Sequence, residues 1–193
     1  MKRIIPWLLL AALVLSGCGR ARAGEALQAR YALLRSAELT AEVICRPGRE
    51  SRSFTLSCAW DAEGDSTVTV TAPAELAGIT ASVSGEDLTL TYGDLSLAAG
   101  TLTDLSPANC LPWLLRAAAS GYVLEEGREK LEGRDCLRLT LDTTAPSGEK
   151  TAVAAWFDGE TLEPVYAEFT MAEALVLSAE ITSFRGEWSA PED

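Results

Sequence analysis

For most of the stretch from Leu39 to Ile181, apolar residues fall at every second position, in short runs separated by glycine, proline and acidic residues. A period of two places alternate side chains on opposite faces of an extended strand, so each run reads as a strand with one apolar and one polar face. Leu39, Ala41, Val43 and Cys45 form the first run. Phe54, Leu56, Cys58 and Trp60 form the second, after a turn containing Pro47-Gly48. Asp61 to Asp65 is a turn, and Val68 and Val70 follow it. Pro73 to Gly78 breaks the rhythm, which Ile79, Ala81 and Val83 resume. Gly85-Glu86-Asp87 leads into Leu88, Leu90 and Tyr92, and Gly93-Asp94 into Leu95 and Leu97. Strands of this kind, joined in order by turns, make an antiparallel meander with one covered face and one wet face.

Two segments break the pattern. Glu25 to Ala37 reads as an amphipathic helix, because Leu27, Tyr31 and Leu34 recur at spacings of four and three. Ser106-Pro107-Ala108-Asn109 reads as a helix entry and Gly121 as its stop, with Cys110 to Ser120 between them. Pro112 suits the first turn, which puts the helix start near Leu111. Leu111, Leu114, Leu115 and Ala118 give this helix an apolar side that must lie against a sheet. Beyond Gly121 the two-residue rhythm returns. Leu137, Leu139 and Leu141 alternate, and Ala152 to Phe157 is apolar on both faces, as in a central strand. Asp158-Gly159 turns into Val165, Ala167 and Phe169, and Leu175, Leu177, Ala179 and Ile181 close the series. The tail from Gly186 to Asp193 is polar apart from Trp188 and reads as loose. The total is about eleven strands and two helices in one domain, an α+β and mainly β class.

Charge and composition narrow the chemistry. Sixteen basic residues face 28 acidic ones. Such a balance does not favour nucleic acid, whose phosphates need clustered Lys and Arg. The chain has no histidine, which removes Ser-His-Asp and Cys-His sites and the usual base near neutral pH. The acids are scattered, with no clustered pair, so the chain reads as no enzyme and implies no cofactor and no metal.

The N-terminus reads as an export signal. Met1-Lys2-Arg3 is positive, and Ile4 to Leu15 is an apolar stretch too short to span a bilayer. Leu15-Ser16-Gly17-Cys18 follows and resembles the bacterial lipobox, whose cysteine is lipidated before cleavage. The resemblance implies a signal peptide at 1–17, a lipidated tether at 18–24 beginning with Cys18, a domain at 25–186 and a flexible tail at 187–193. It places the protein on the extracytoplasmic face of the membrane. Two acyl chains hold a protein durably where one does not, and the diacylglyceryl group supplies two. Loss of Lys2 and Arg3 leaves 14 basic residues against 28 acidic, a net charge of −14.

Four cysteines remain: Cys45, Cys58, Cys110 and Cys136. An even number in an exported chain permits disulfides. A hairpin centred on Glu50 to Arg52 sets Cys45 opposite Cys58, and Cys110–Cys136 is then left by elimination. The alternative is four small buried thiols.

The order of elements, together with Pro73-Ala74-Glu75-Leu76-Ala77-Gly78-Ile79, Trp156-Phe157-Asp158 and Leu162-Glu163-Pro164-Val165, resembles the LolA/LolB-like lipoprotein-carrier superfamily from about Glu25 to Arg185. The resemblance implies a strongly curved antiparallel sheet, an unclosed barrel whose open mouth the helices cover. Some members hold acyl chains between sheet and helices. Others are protein-interaction modules, among them the GerS-like spore-germination lipoproteins of Gram-positive anaerobes. The implied partners are therefore the membrane, an apolar ligand such as a lipid or lipidated peptide, or another envelope protein. The candidate lining is Phe54, Leu56, Trp60, Val68, Val70 and Leu88, with Leu90, Trp113, Leu114 and Trp156. Arg46, Arg49 and Arg52 cluster on the first hairpin turn, where they are candidates for contact with headgroups or an acidic partner.

Overall fold

The computed structural model describes residues 23–46, 48, 50–85, 87–101, 104–144 and 148–190. Cys18, the leader and Arg49 lie outside them. The first half of the chain forms α1 (Ala23–Tyr31), β1 (Leu34–Cys45), β2 (Arg52–Asp61), β3 (Ser66–Ala72), β4 (Thr80–Ser84), β5 (Asp87–Tyr92) and β6 (Leu95–Thr101). The second half forms α2 (Cys110–Ser120), β7 (Tyr122–Leu131), β8 (Arg134–Thr144), β9 (Lys150–Asp158), β10 (Pro164–Met171) and β11 (Ala174–Trp188).

All eleven strands join one antiparallel sheet in the order β6-β5-β4-β3-β2-β1-β11-β10-β9-β8-β7. Each half is a meander, and the first and last strands zip the halves together along the long β1–β11 pair, from Leu34↔Trp188 to Cys45↔Leu177. The strands β6 and β7 are left as free edges, so the sheet is not closed into a barrel.

The contacts of α2 reveal the curvature. It touches β2 as well as β8 and β9, yet β2 and β8 stand five strand steps apart. On a flat sheet that is about 24 Å, and a helix is only about 10 Å across. The sheet therefore curls around α2, and its inner face carries the alternating apolar residues. Leu39, Leu56, Leu139, Val153, Phe169 and Leu177 all lie buried there with Leu111, Leu114 and Leu115 of α2. Each such side chain contributes about 1.5–3 kcal/mol on burial.

The N-terminal helix is shorter than the apolar spacing predicts. It ends at Tyr31, where Ala32 N–H donates to the Gln28 carbonyl and Leu33 N–H to that of Arg30. Leu34, read as its third apolar contact, instead begins β1, because pairing with β11 satisfies its backbone in the sheet. The loose tail is also corrected: β11 continues through Gly186 and Glu187 to Trp188. The ring of Trp188 meets Tyr31 edge-on at 5.4 Å and lies under the Arg30 guanidinium. An isolated tryptophan in a polar tail carries no periodicity, so the pattern missed it.

Gly121 stops α2 as expected, though not in a left-handed conformation: its φ is −64°. A side chain there would meet the Ala117 carbonyl oxygen at 2.6 Å, so glycine is required by close approach. The Gly121 carbonyl accepts from Gln28 Nε2 at 2.5 Å, tying α1 to the end of α2.

Candidate functional site

The inner face divides into a covered part and an uncovered part. Where α2 lies on the sheet, packing is complete: Leu114 of the helix and Leu139 and Leu141 of β8 are 0% exposed. Trp113 spans the rim of this contact, its indole N–H donating to Thr143 Oγ1 at 2.9 Å. Of the predicted lining, Leu56, Trp60, Val68 and Leu114 belong to this buried core. The expected space between sheet and helix is thus occupied by the protein's own side chains at these positions.

Beyond α2 the same face continues without cover. Cross-strand pairing carries it outward from Val68↔Ala81 to Ala81↔Leu90 and then Leu90↔Leu97, with Tyr92↔Leu95 alongside. Directly opposed residues share a face, so these side chains form one apolar strip. Val68 and Ala81 are buried, Leu88 and Leu90 are half-buried against the core, and Tyr92, Leu97 and Leu95 are 54%, 63% and 74% exposed. Phe54, Val70 and Trp113, also predicted lining, are partly buried beside the core. Every residue of β6 is exposed. Leu95 and Leu97 read as a strand in the sequence but fall outside the predicted lining; their alternation with Ser96 and Ala98 was the available signal.

Trp156 is a correction. Residues 151, 153, 155 and 157 of β9 face inward, which turns Trp156 to the outer face. There its indole N–H donates to Glu129, Arg138 covers its ring at 5.3 Å, and the Tyr166 ring lies 5.3 Å away. A strand apolar on both faces cannot reveal from sequence which face is inner.

The disulfide expectation is corrected too. The β1–β2 register sets Cys45 against Arg52 and Cys58 against Leu39. The two cysteines lie six positions apart along the ladder, about 20 Å. Cys110 belongs to the inner core, whereas Cys136 is buried on the outer face. All four thiols are free. Burial pushes the Cys58 thiol up to about 12, with Arg116 opposing, and pushes Cys110 upward as well.

Polar features are dispersed. Arg46 Nη1 donates to Ser178 Oγ at 3.1 Å, and Arg52 lies 3.7 Å from Glu50, so two of the three turn arginines already have partners. A groove of about 790 Å³ runs between α1 and β7, where Tyr122, Val123 and Leu124 line it alongside Glu25, Glu125, Glu126 and Arg128; the four charged groups keep it hydrated. Among the described residues no three Asp, Glu or Cys side chains gather to hold a metal ion, and no helix is long and apolar enough to cross a membrane.

No protein-family model matches the sequence, and no curated protein matches it. Solved structures do. The chain is similar to an uncharacterised conserved protein of Thermus thermophilus, at 10% identity, over 88% of this chain and 90% of that one, with a TM-score of 0.54. It is also similar to the LolA superfamily protein NE2245 of Nitrosomonas europaea (14% identity, 89% and 96% covered, TM-score 0.45) and to the lipoprotein LppX of Mycobacterium tuberculosis (16% identity, 87% and 97% covered, TM-score 0.44). At these identities the likeness is one of fold. The Thermus protein shares it across nine-tenths of its length, so the arrangement as a whole recurs in another chain.

Proposed function

We propose that this protein is a lipid-anchored, non-catalytic protein of the cell envelope that holds an apolar guest on the uncovered inner face of β4 to β6. The guest is an acyl chain, carried by a lipid or a lipidated peptide. One observation carries this reading: along a single apolar face, burial falls from complete at Val68 to 63% exposure at Leu97, while the side chains stay aliphatic or aromatic. A soluble surface rarely leaves such a contiguous strip bare without a ligand or partner. The lipobox at Leu15 to Cys18 supplies the anchor. Native mass spectrometry of the gently purified, unlipidated protein, followed by displacement of a fluorescent fatty acid, tests the guest. Co-purified lipid and saturable displacement are expected; an empty protein that takes up no probe rejects the reading.

A second reading, a tethered partner of a cell-wall or germination enzyme, is favoured by the free edge of β6. Leu95 to Thr101 carries no charge and, among the described residues, no strand pairs with its outer backbone groups, which leaves a template for an added strand. Crosslinking in cells and recovery from membranes should then yield one reproducible partner. Recovery of none counts against it.

A further inference from the structure

The two free edges of the sheet differ in charge. Leu95 to Thr101 of β6 carries none, whereas Tyr122 to Leu131 of β7 carries Glu125, Glu126, Arg128, Glu129 and Lys130. Charges along an edge deter an arbitrary strand, so a segment that pairs with β7 has to match them.

The groove beside β7 is lined by every residue from Gly121 to Arg128, with Glu25 and Gln28 of α1 as its other wall. Successive side chains of a strand point to opposite faces, so a hollow that touches all of them runs along the edge itself. Among the described residues no strand pairs with that edge. Three carboxylates, of Glu25, Glu125 and Glu126, share the lining with one guanidinium, of Arg128. Glu125 is already paired with Arg138 at 3.4 Å. Glu25 and Glu126 have no ion-pair partner among the described residues.

The start of α1 is pressed into this groove. The Ala23 backbone N–H donates to Glu126 Oε1 at 2.9 Å. A Cβ on Gly24 would stand 3.0 Å from Glu126 Oε2 and 3.1 Å from Leu139 Cδ2. The chain leads into Ala23 through Gly19-Arg20-Ala21-Arg22. In an extended segment Arg20 and Arg22, two positions apart, fall on one side. Four extended residues span at most about 14 Å, and β7 runs about 13 Å from Glu126 back to Tyr122.

We propose that Gly19 to Arg22 lies extended in this groove along the free edge of β7, with Arg20 and Arg22 set against Glu25 and Glu126. Length, charge and point of entry all match. Arg22 is peptide-bonded to the residue whose N–H the Glu126 carboxylate holds, so its guanidinium starts within reach of that carboxylate. The unpaired backbone groups of the edge give the segment its remaining partners. The proposal meets the lipid-anchor reading in one respect: a lipidated Cys18 would be set beside Tyr122 and Leu124, and the domain would stand at a fixed distance from the bilayer.

The test uses a chain that begins at position 18, carries Cys18→Ser and is N-terminally acetylated, so that leader, lipid and an added positive charge are all absent. Every core residue lies within the described part, so the fold is retained. Backbone order parameters of Gly19 to Arg22 are measured by NMR at low salt. They should lie near about 0.85, the value of rigid backbone, and fall below about 0.6 in Arg20→Glu/Arg22→Glu. Glu25→Lys, from the other wall, should lower them too, and each variant should keep the melting temperature of the parent. Low order in the parent, or order that ignores the arginine and Glu25 substitutions alike, overturns the docking. Mixed phosphatidylcholine–phosphatidylglycerol vesicles offer the arginines a rival site, since anionic headgroups attract such residues. Unchanged order with vesicles present supports the groove, and loosening on vesicle binding overturns it. The anchor is judged separately, by the mass of the protein recovered from membranes. Absence of lipid on Cys18 rejects the anchor alone, and a mobile segment on a lipidated protein rejects the docking alone.

Discussion

Leu90 and Leu97 stand directly opposite each other across the β5–β6 pair, yet Leu90 is half-buried against the core while Leu97 is 63% exposed. The boundary between core and open strip therefore runs between two residues of one type. Substitution on either side should separate stability from binding. Leu97→Asp should leave the melting temperature nearly unchanged and abolish uptake of a fluorescent fatty acid, because its carboxylate would sit in the strip. Leu114→Ala, beneath the packed helix, should cost about 2–5 kcal/mol, read by urea denaturation. A Leu97→Asp variant that binds the probe normally places the guest elsewhere.

Trp156 gives a contrasting case on the outer face. Its ring is covered by Arg138 and flanked by Tyr166, and Arg138 also lies 3.4 Å from Glu125 and 3.9 Å from Glu129. Arg138→Ala removes a cation–π contact of about 0.5–1 kcal/mol and uncovers the ring. The expected result is a small fall in stability, a red-shifted tryptophan emission and unchanged probe uptake. Loss of uptake would tie the outer face to the site.

How much of this was legible follows from periodicity. Alternation such as Phe54-Leu56-Cys58-Trp60 names both the strand and its inner face, because polar residues mark the other side. The β1–β11 pairing was not legible, since contact between the chain's first and last strands leaves no local trace. Where both faces are apolar, as at Ala152 to Phe157, the pattern fails, and Trp156 reads as inward when it is not. The hairpin register failed for another reason. Centring the turn on Glu50 to Arg52 ignored the pull of the β1 ladder, which sets Cys45 against Arg52. Val68, Leu88 and Leu90 of the strip were legible as lining, but how much of the strip lies uncovered was not, because burial of Leu88 or Leu97 depends on how far α2 reaches across the sheet.

The inner thiols should be inert at physiological pH. Burial pushes Cys58 up to about 12 from an ordinary thiol value of 9.0, and Cys110 is pushed up as well. Iodoacetamide at about pH 8 should modify neither in the native protein and both in denaturant, since only the thiolate reacts. A group whose folded value is raised stabilises the fold below its unfolded value and loses that contribution as pH climbs through the folded one. For Cys58 the window runs from about 9 to about 12. Urea stability should decline across it, and less steeply in Cys58→Ala. Rapid native alkylation of Cys58 would contradict its burial.

Asp158 sets the opposite dependence, on the acid side. Its Oδ1 accepts from the backbone N–H groups of Thr161 and Glu160, each at 2.9 Å. Those bonds, first Thr161 and then Glu160, hold the carboxyl below the usual carboxylate range, with Arg134 adding a smaller pull. A lowered folded value means that the contribution is present above the unfolded carboxylate value and is lost as pH falls through the folded one. The turn also anchors α1, since Thr161 and Leu162 carbonyls accept from Arg30 and the Tyr31 hydroxyl at 2.7 and 3.0 Å. Asp158→Ala should therefore cost about 0.5–2 kcal/mol at neutral pH, as loss of a capping acceptor does, and raise amide exchange in α1. Asp158→Asn retains one acceptor and should cost less, while flattening the acid limb of the stability profile. If Asp158→Asn leaves that limb unchanged, the acid sensitivity belongs to other carboxylates and this turn does not report pH.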